Sequence, residues 1–191
     1  EMASQVTATP PGAGAARLAT SGRLLPYRRL RVAPDGEIWV NGETRFAGYL
    51  DGDALHRPFD AGGWYATGDL GRFDADGFLH VAGRRDNLFV SGGENIQPEE
   101  VEAALCRLDG VAQAVVVPVP DDLYGQRPVA FVRTTPGGPG GPAPEGLAAG
   151  LGRSLPRFKI PDAFYPWPED VPEGMKVDRR AFVARARREQ T

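Results

Sequence analysis

A chain of 191 residues has room for one large or two small domains, and 41% hydrophobic side chains are enough for a real core and too many for a disordered tail. With 22 basic against 25 acidic side chains the net charge is −3, which offers no global attraction for nucleic acid. No apolar run approaches the roughly 20 residues that span a bilayer, and the opening residues lack a basic-then-apolar leader, so a soluble, cytoplasmic chain is expected.

The first residues, Glu1-Met2-Ala3-Ser4, are neither an initiator methionine nor a tag, and Ser4 to Ala16 is a stretch of small residues with Pro10, Pro11 and Gly12. A piece of a longer protein is expected. From Arg28 to Val81 short strands alternate with turns. Arg31-Val32 precedes the turn Pro34-Asp35-Gly36, Glu37 to Val40 follows, and Asn41-Gly42 closes that strand. A second such unit runs through Asp69 to Phe73, the turn Asp74-Ala75-Asp76-Gly77 and the strand Phe78 to Ala82. Both read as antiparallel β-hairpins, with His80 alternating on the second strand as a surface or satisfied histidine and His56 likewise.

The character changes after Gly83. Pro98 starts a helix in which Val101, Ala104, Leu105 and Leu108 recur at helical spacing, with Glu99 and Glu100 in the first turn where the helix dipole favours them. Within it the lone Cys106 can form neither an internal disulfide nor a thiolate metal cage, and it reads as a packing residue. Ala114 to Val117 and Val129 to Val132 are expected as neighbouring strands across the polar turn Asp121 to Gly125. Thr134 to Glu145, TTPGGPGGPAPE, reads as a loop. Leu147, Leu151 and Leu155 mark a second helix, Phe164-Tyr165 a short strand, and Asp178 caps a last helix over 179–188. The order, β-rich and then αββαβα, predicts an α+β chain of two units, 1–83 and 84–191, joined near Gly83 to Asp86.

Three clusters carry candidate chemistry. Thr67-Gly68-Asp69 places a carboxylate beside glycine, where it can accept hydrogen bonds from the vicinal hydroxyls of a ribose, although alone such a step is more often an ordinary turn. In the run Gly83 to Glu102 the paired Gly92-Gly93 allow close backbone approach, and Arg84 offers a forked donor; a strand, a glycine turn and a capped helix explain the same composition. Arginine supplies 20 of the 22 basic residues, so Lys176, on the glycine-containing stretch Val171 to Arg179, is an unusual choice. An ammonium there could neutralise a transferring phosphoryl group, or could be a solvated loop lysine.

Together and in this order, these clusters resemble the adenylate-forming superfamily of acyl-CoA synthetases, adenylation domains and luciferases, over Glu1 to about Phe182. Gly83 to Glu102 is similar to the signature between that family's large and small domains, Thr67-Gly68-Asp69 to its nucleotide-ribose motif, and Lys176 stands where its catalytic lysine belongs. The wording of Gly63 to Thr67, Arg84 to Glu94, Ile96 to Glu102, Gly125 to Val129 and Gly174 to Val177 is closest to the o-succinylbenzoate-CoA ligases of menaquinone biosynthesis. Met175 stands where the superfamily more often has the glycine of Gly-Lys.

The resemblance implies the end of a large domain, a β-hairpin or distorted-barrel subdomain, followed by a small mobile α+β domain with Asp86 as hinge. It implies ATP, Mg2+ and CoA as substrates or cofactors, a carboxylic acid, and the missing N-terminal part of the same enzyme as partner. Asp69 and Arg84 would hold the ribose, Lys176 the α-phosphate, Gly92 and Gly93 a pantetheine channel, and Glu1 the metal. The phosphate loop, adenine pocket and acid pocket would lie upstream of Glu1, leaving the chain inactive alone. Another acyl-CoA synthetase, an adenylation domain, or a non-catalytic binding module of the same fold remain alternatives.

Overall fold

The structure, a computed structural model, describes residues 1–135, 143–171 and 177–190. The chain divides into two compact units, Glu1–Asp86 and Asn87–Thr191.

In the first unit the alternation of apolar and polar residues resolves into an antiparallel meander of four strands. They are β1 (Arg28–Val32), β2 (Glu37–Gly42), β3 (Tyr65–Phe73) and β4 (Leu79–Arg84), in that spatial order. The Pro34-Asp35-Gly36 turn joins β1 to β2, with Gly36 at φ +86°, a left-handed conformation that glycine adopts without steric cost. The β3–β4 turn is built by Asp74, whose Oδ1 accepts the N–H groups of Asp76 and Phe78 at 3.0 and 2.9 Å. Asp74 Oδ2 also meets His80 Nε2 at 3.1 Å, so this histidine is the satisfied strand residue that its alternation indicated. Ile38, Val40 and Leu79 are buried on one face of the sheet, against Met2, Val6, Leu30, Val32 and Tyr65. A separate hairpin, Tyr49–Asp51 with Ala54–His56, lies in the long β2–β3 connection.

The second unit begins with the hairpin β5 (Phe89–Ser91) and β6 (Glu94–Ile96), followed by α1 (Pro98–Leu105). The long strands β7 (Val111–Asp121) and β8 (Gly125–Thr134) pair antiparallel, and β9 (Ala163–Pro166) adds parallel to β8. Between β8 and β9 runs α2 (Pro144–Leu151); α3 (Arg179–Glu189) ends the unit.

Both faces of this sheet are covered, which explains its continuous apolar runs. Ala114, Val116, Ala130 and Val132 pack with Val101, Leu105, Leu147 and Leu151 of α1 and α2. Their neighbours Val115, Val117, Val129 and Phe131 pack with Phe182 and Ala186 of α3. The period of two therefore separates two buried layers, where a one-faced sheet would separate core from solvent.

Several boundaries differ from the sequence expectation. Leu108 and Leu155 lie beyond the ends of α1 and α2, yet both pack on the core, so their helical spacing reflects a shared side and not a continuing helix. Cys106 is the C-cap of α1 and is exposed, which corrects its reading as a packing residue: the helix stops just before it. Of the segment read as a loop, Thr134 completes β8 and Pro144-Glu145 open α2, with residues 136–142 outside the described ones. Asp178 caps α3 as its position indicated, its Oδ1 accepting the Arg180 N–H at 3.0 Å.

Candidate nucleotide site

On β3 the side chains of Tyr65, Thr67 and Asp69 recur every second residue, and all three line one cavity of about 390 Å3 together with Glu1, Met2, Val6, Val40 and Arg84. The strand period is the reason that Tyr65 and Thr67 share this face with Asp69. Asp69 and Arg84 are directly opposed across the β3–β4 ladder. Arg84 Nη1 donates to Asp69 Oδ1 at 3.2 Å and to the Thr67 carbonyl at 2.7 Å, and its Nη2 donates to Asp86 Oδ2 at 3.3 Å. Desolvation works against the Arg84 charge, but the carboxylates of Asp69 and Asp86 outweigh it and raise its pKa above the ordinary guanidinium value.

The bend that presents Asp69 is fixed from below. Thr67 Oγ1 donates to the Ile38 carbonyl at 2.8 Å and accepts the Asp69 N–H at 3.0 Å, while Gly68, at φ +73°, donates its N–H to Glu37 Oε1 at 3.2 Å. Glu37 is buried and is itself held by Arg85 at 3.2 Å, which also pairs with Asp35 at 2.6 Å. At the other wall of the cavity Glu1 Oε1 accepts the Tyr49 hydroxyl at 2.7 Å, and the Tyr49 and Tyr65 oxygens lie 2.9 Å apart. Hydrogen bonding to Tyr65 and then to Glu1 pushes the Tyr49 pKa above its ordinary value, so this phenol stays protonated and keeps the Glu1 carboxylate oriented.

A second cavity, of about 650 Å3, lies in the second unit and is lined by Ser91, Gly92, Glu94, Tyr124, Arg127, Arg157, Phe158 and Asp162. Gly92 and Gly93 form the two-residue turn of the β5–β6 hairpin at φ +58° and +86°, the paired left-handed conformations such a turn needs. Gly92 donates its N–H to the Tyr124 carbonyl at 2.9 Å, and a Cβ on it would come within 2.8 Å of the Tyr124 ring. Arg127 grips Asp162 through two bonds of 2.7 and 2.6 Å and reaches Ser91 Oγ at 3.2 Å, which fixes the hairpin from the side. Arg157, Tyr124 and Phe158 were not singled out in sequence, since nothing in their local pattern marks them as neighbours of Gly92.

Comparison with known proteins shows which families this chain is similar to. Residues 100–173 match the family described as AMP-binding enzyme C-terminal domain. The 3-[(3aS,4S,7aS)-7a-methyl-1,5-dioxo-octahydro-1H-inden-4-yl]propanoyl:CoA ligase of Rhodococcus jostii is 41% identical over 143 residues, 74% of this chain and 27% of that protein. The 2-succinylbenzoate--CoA ligase of Listeria monocytogenes is 39% identical over 132 residues, 69% of this chain and 28% of that protein. Among solved structures, R195K E. coli MenE with bound OSB-AMS superposes with a TM-score of 0.79 at 34% identity, over 91% of this chain and 37% of that one. The chain belongs to the adenylate-forming superfamily. It spans between 27% and 37% of the length of these relatives.

Within this chain the structure brings Glu1, Asp69 and Arg84 to one cavity and sets Gly92 on the other, with Gly93 open to space beside it. Asp86 lies in a short 3-10 turn, Arg85–Asn87, at the end of the first unit. Lys176 lies outside the described residues. Among the described residues no three His, Cys, Asp or Glu side chains gather as a metal cage, and no helix is long and apolar enough to cross a membrane.

Proposed function

We propose that this chain is part of an ATP-dependent carboxylate–CoA ligase that works through an acyl-adenylate, with 2-succinylbenzoate as the acid. The observation that carries the reading is the Asp69–Arg84 pair facing a cavity that also receives Glu1. Arg84 occupies one oxygen of Asp69 and leaves the other carboxylate oxygen to accept from two adjacent hydroxyls, as a ribose offers them. Arg84 itself holds the carboxylate in orientation and adds donors toward the same sugar.

In the first half-reaction a carboxylate oxygen of the acid bonds to the α-phosphorus while the bond to pyrophosphate breaks. Both reactants are anionic, so a cation at the phosphate is needed, and Lys176 fills that role. Mg2+ is held by one or two carboxylates together with substrate phosphates, and Glu1 fits as a single oxygen ligand of that kind. In the second half-reaction the CoA thiolate attacks the acyl carbon and AMP leaves. The Gly92-Gly93 turn, without side chains, leaves width for a pantetheine arm. Arg157 with the rings of Tyr124 and Phe158 supplies the cation and flat faces that a phosphorylated, adenine-bearing thiol requires. Asp86, between the two units, is the hinge.

The choice of acid rests on the identities to 2-succinylbenzoate--CoA ligases and the likeness to MenE. The test is acid-dependent ATP–pyrophosphate exchange by the full-length enzyme over a panel of acids. Exchange is expected with 2-succinylbenzoate and should fall about 100-fold or more in Lys176→Ala. Exchange with a different acid alone overturns the substrate assignment, and exchange with no acid overturns the activity.

A further inference from the structure

Five side chains for which the scheme above has no use form one network at the start of α3. Arg179 Nη1 donates to Glu102 Oε1 at 2.6 Å and to the Val116 carbonyl at 2.9 Å; Nη2 donates to Glu102 Oε2 at 2.8 Å and to Glu99 Oε1 at 3.3 Å. Glu102 Oε1 accepts the Val116 N–H at 2.7 Å as well. Glu99 takes the side-chain amides of Asn87 on one oxygen and Gln97 on the other. The Arg179, Glu99 and Glu102 side chains expose only 23%, 24% and 14% of their surface. Desolvation opposes the Arg179 charge, and the hydrogen bonds and charges of Glu102 and Glu99 overcome it.

Ion pairs withdrawn from water this far return little net stability, because desolvation offsets most of the attraction. What the network does supply is direction, since a planar guanidinium forked onto a carboxylate has one orientation. It ties together Asn87, the first residue of the second unit, helix α1, strand β7 and the first residue of α3. Lys176 precedes Arg179 by three residues in the chain.

We propose that Arg179 is a positioning residue for adenylation: it fixes the point from which the Lys176 segment departs and, through Glu99 and Asn87, registers that point against the chain leaving Asp86. The proposal rests on the role given to Lys176 above. Displacing a reacting cation by about 1 Å can cost on the order of 100-fold, so the anchoring of α3 bears on the step that uses Lys176. Thioester formation, which does not use this lysine, should not share the loss.

The experiment compares Arg179→Lys, Glu99→Gln, Lys176→Ala and, as a control on the exposed part of the same helix, Arg185→Lys in the full-length enzyme. Arg179→Lys keeps the charge and loses the fork, so it is the variant most able to fold. Pyrophosphate exchange, KM for ATP, single-turnover thioester formation from preformed acyl-adenylate, and Tm are measured for each. Arg179→Lys is expected to lower kcat of exchange about tenfold or more, with KM for ATP and thioester formation within about threefold of wild type. Glu99→Gln should follow in the same direction, and Arg185→Lys should change neither step. Equal losses in both half-reactions that track Tm would assign Arg179 a merely structural role and overturn the proposal. Full exchange in Arg179→Lys beside an inactive Lys176→Ala overturns it alone, whereas normal exchange in Lys176→Ala removes the reading beneath it as well.

Discussion

Gly68→Ala puts the candidate nucleotide site under a defined strain. Gly68 holds φ +73°, and a Cβ there would lie 2.9 Å from Arg84 Nη2 and 3.2 Å from Arg84 Cζ. Two costs follow and they are separable. The left-handed backbone costs alanine about 1–2 kcal/mol wherever it occurs. The clash is with the free end of a flexible side chain, so the guanidinium moves, giving up its 2.7 Å bond to the Thr67 carbonyl and its 3.2 Å contact with Asp69. Both partners of that pair are more than a third exposed, so its loss adds only about 0–1 kcal/mol. The fold should therefore lose about 1–3 kcal/mol in all.

Ligand binding should suffer in a different proportion. With Arg84 displaced, Asp69 loses its orienting partner and the ribose loses one charge-assisted donor, about 1.4 kcal/mol after allowance for exposure, or tenfold in Kd for ATP. Gly77→Ala isolates the backbone term, because Gly77 has φ +78° and nothing within 4 Å of an added Cβ. Calorimetric titration with ATP and thermal unfolding of both variants in the full-length enzyme give the two quantities. Comparable destabilisation is expected in both variants, with weakened nucleotide binding in Gly68→Ala only. Wild-type ATP affinity in Gly68→Ala, or an equal loss in Gly77→Ala, would refute the assignment of Arg84 to the nucleotide.

Two further outcomes concern stability. Phe182 is buried against Phe131 and Trp167, with ring centroids 5.1 and 5.2 Å away, so Phe182→Ala should cost about 3–5 kcal/mol and Phe182→Leu much less, read as the denaturation midpoint of the second unit. The Asp60 pKa is lowered first by the Trp64 N–H, against opposing desolvation, and then by the Gly62 N–H and Arg31. A depressed folded-state pKa contributes stability that is present above the unfolded carboxylate value of about 4 and is lost as pH falls through the folded one. Asp60→Asn should therefore flatten the acid limb of stability below about pH 4, and an unchanged limb in denaturant titrations would contradict the hydrogen-bond count at this turn.

Local chemistry in the chain was sufficient for the elements. Pro98 with Glu99 and Glu100 starts α1, Asp178 caps α3, and the glycine pairs and Asp-Gly turns punctuate the strands, because each of these effects acts within a few residues. The α+β order followed from period alone. The candidate nucleotide residues were legible by resemblance, but why they act together was not.

Asp69 meets Arg84 only because the β3–β4 ladder, with a register shift between Leu70 and Gly71, sets them opposite each other. Glu1 shares their cavity from 68 positions away in the chain, and Arg179 reaches Glu102 across 77. Side-chain periodicity says which face a residue takes and nothing of which distant residue faces it. That second choice is made by strand register and by helices packing on both sides of a sheet, where burial of the whole apolar layer outweighs any local preference. Sequence thus determined the elements and the candidate residues, and the tertiary structure alone decided the pairings that orient Asp69 and anchor the helix following Lys176.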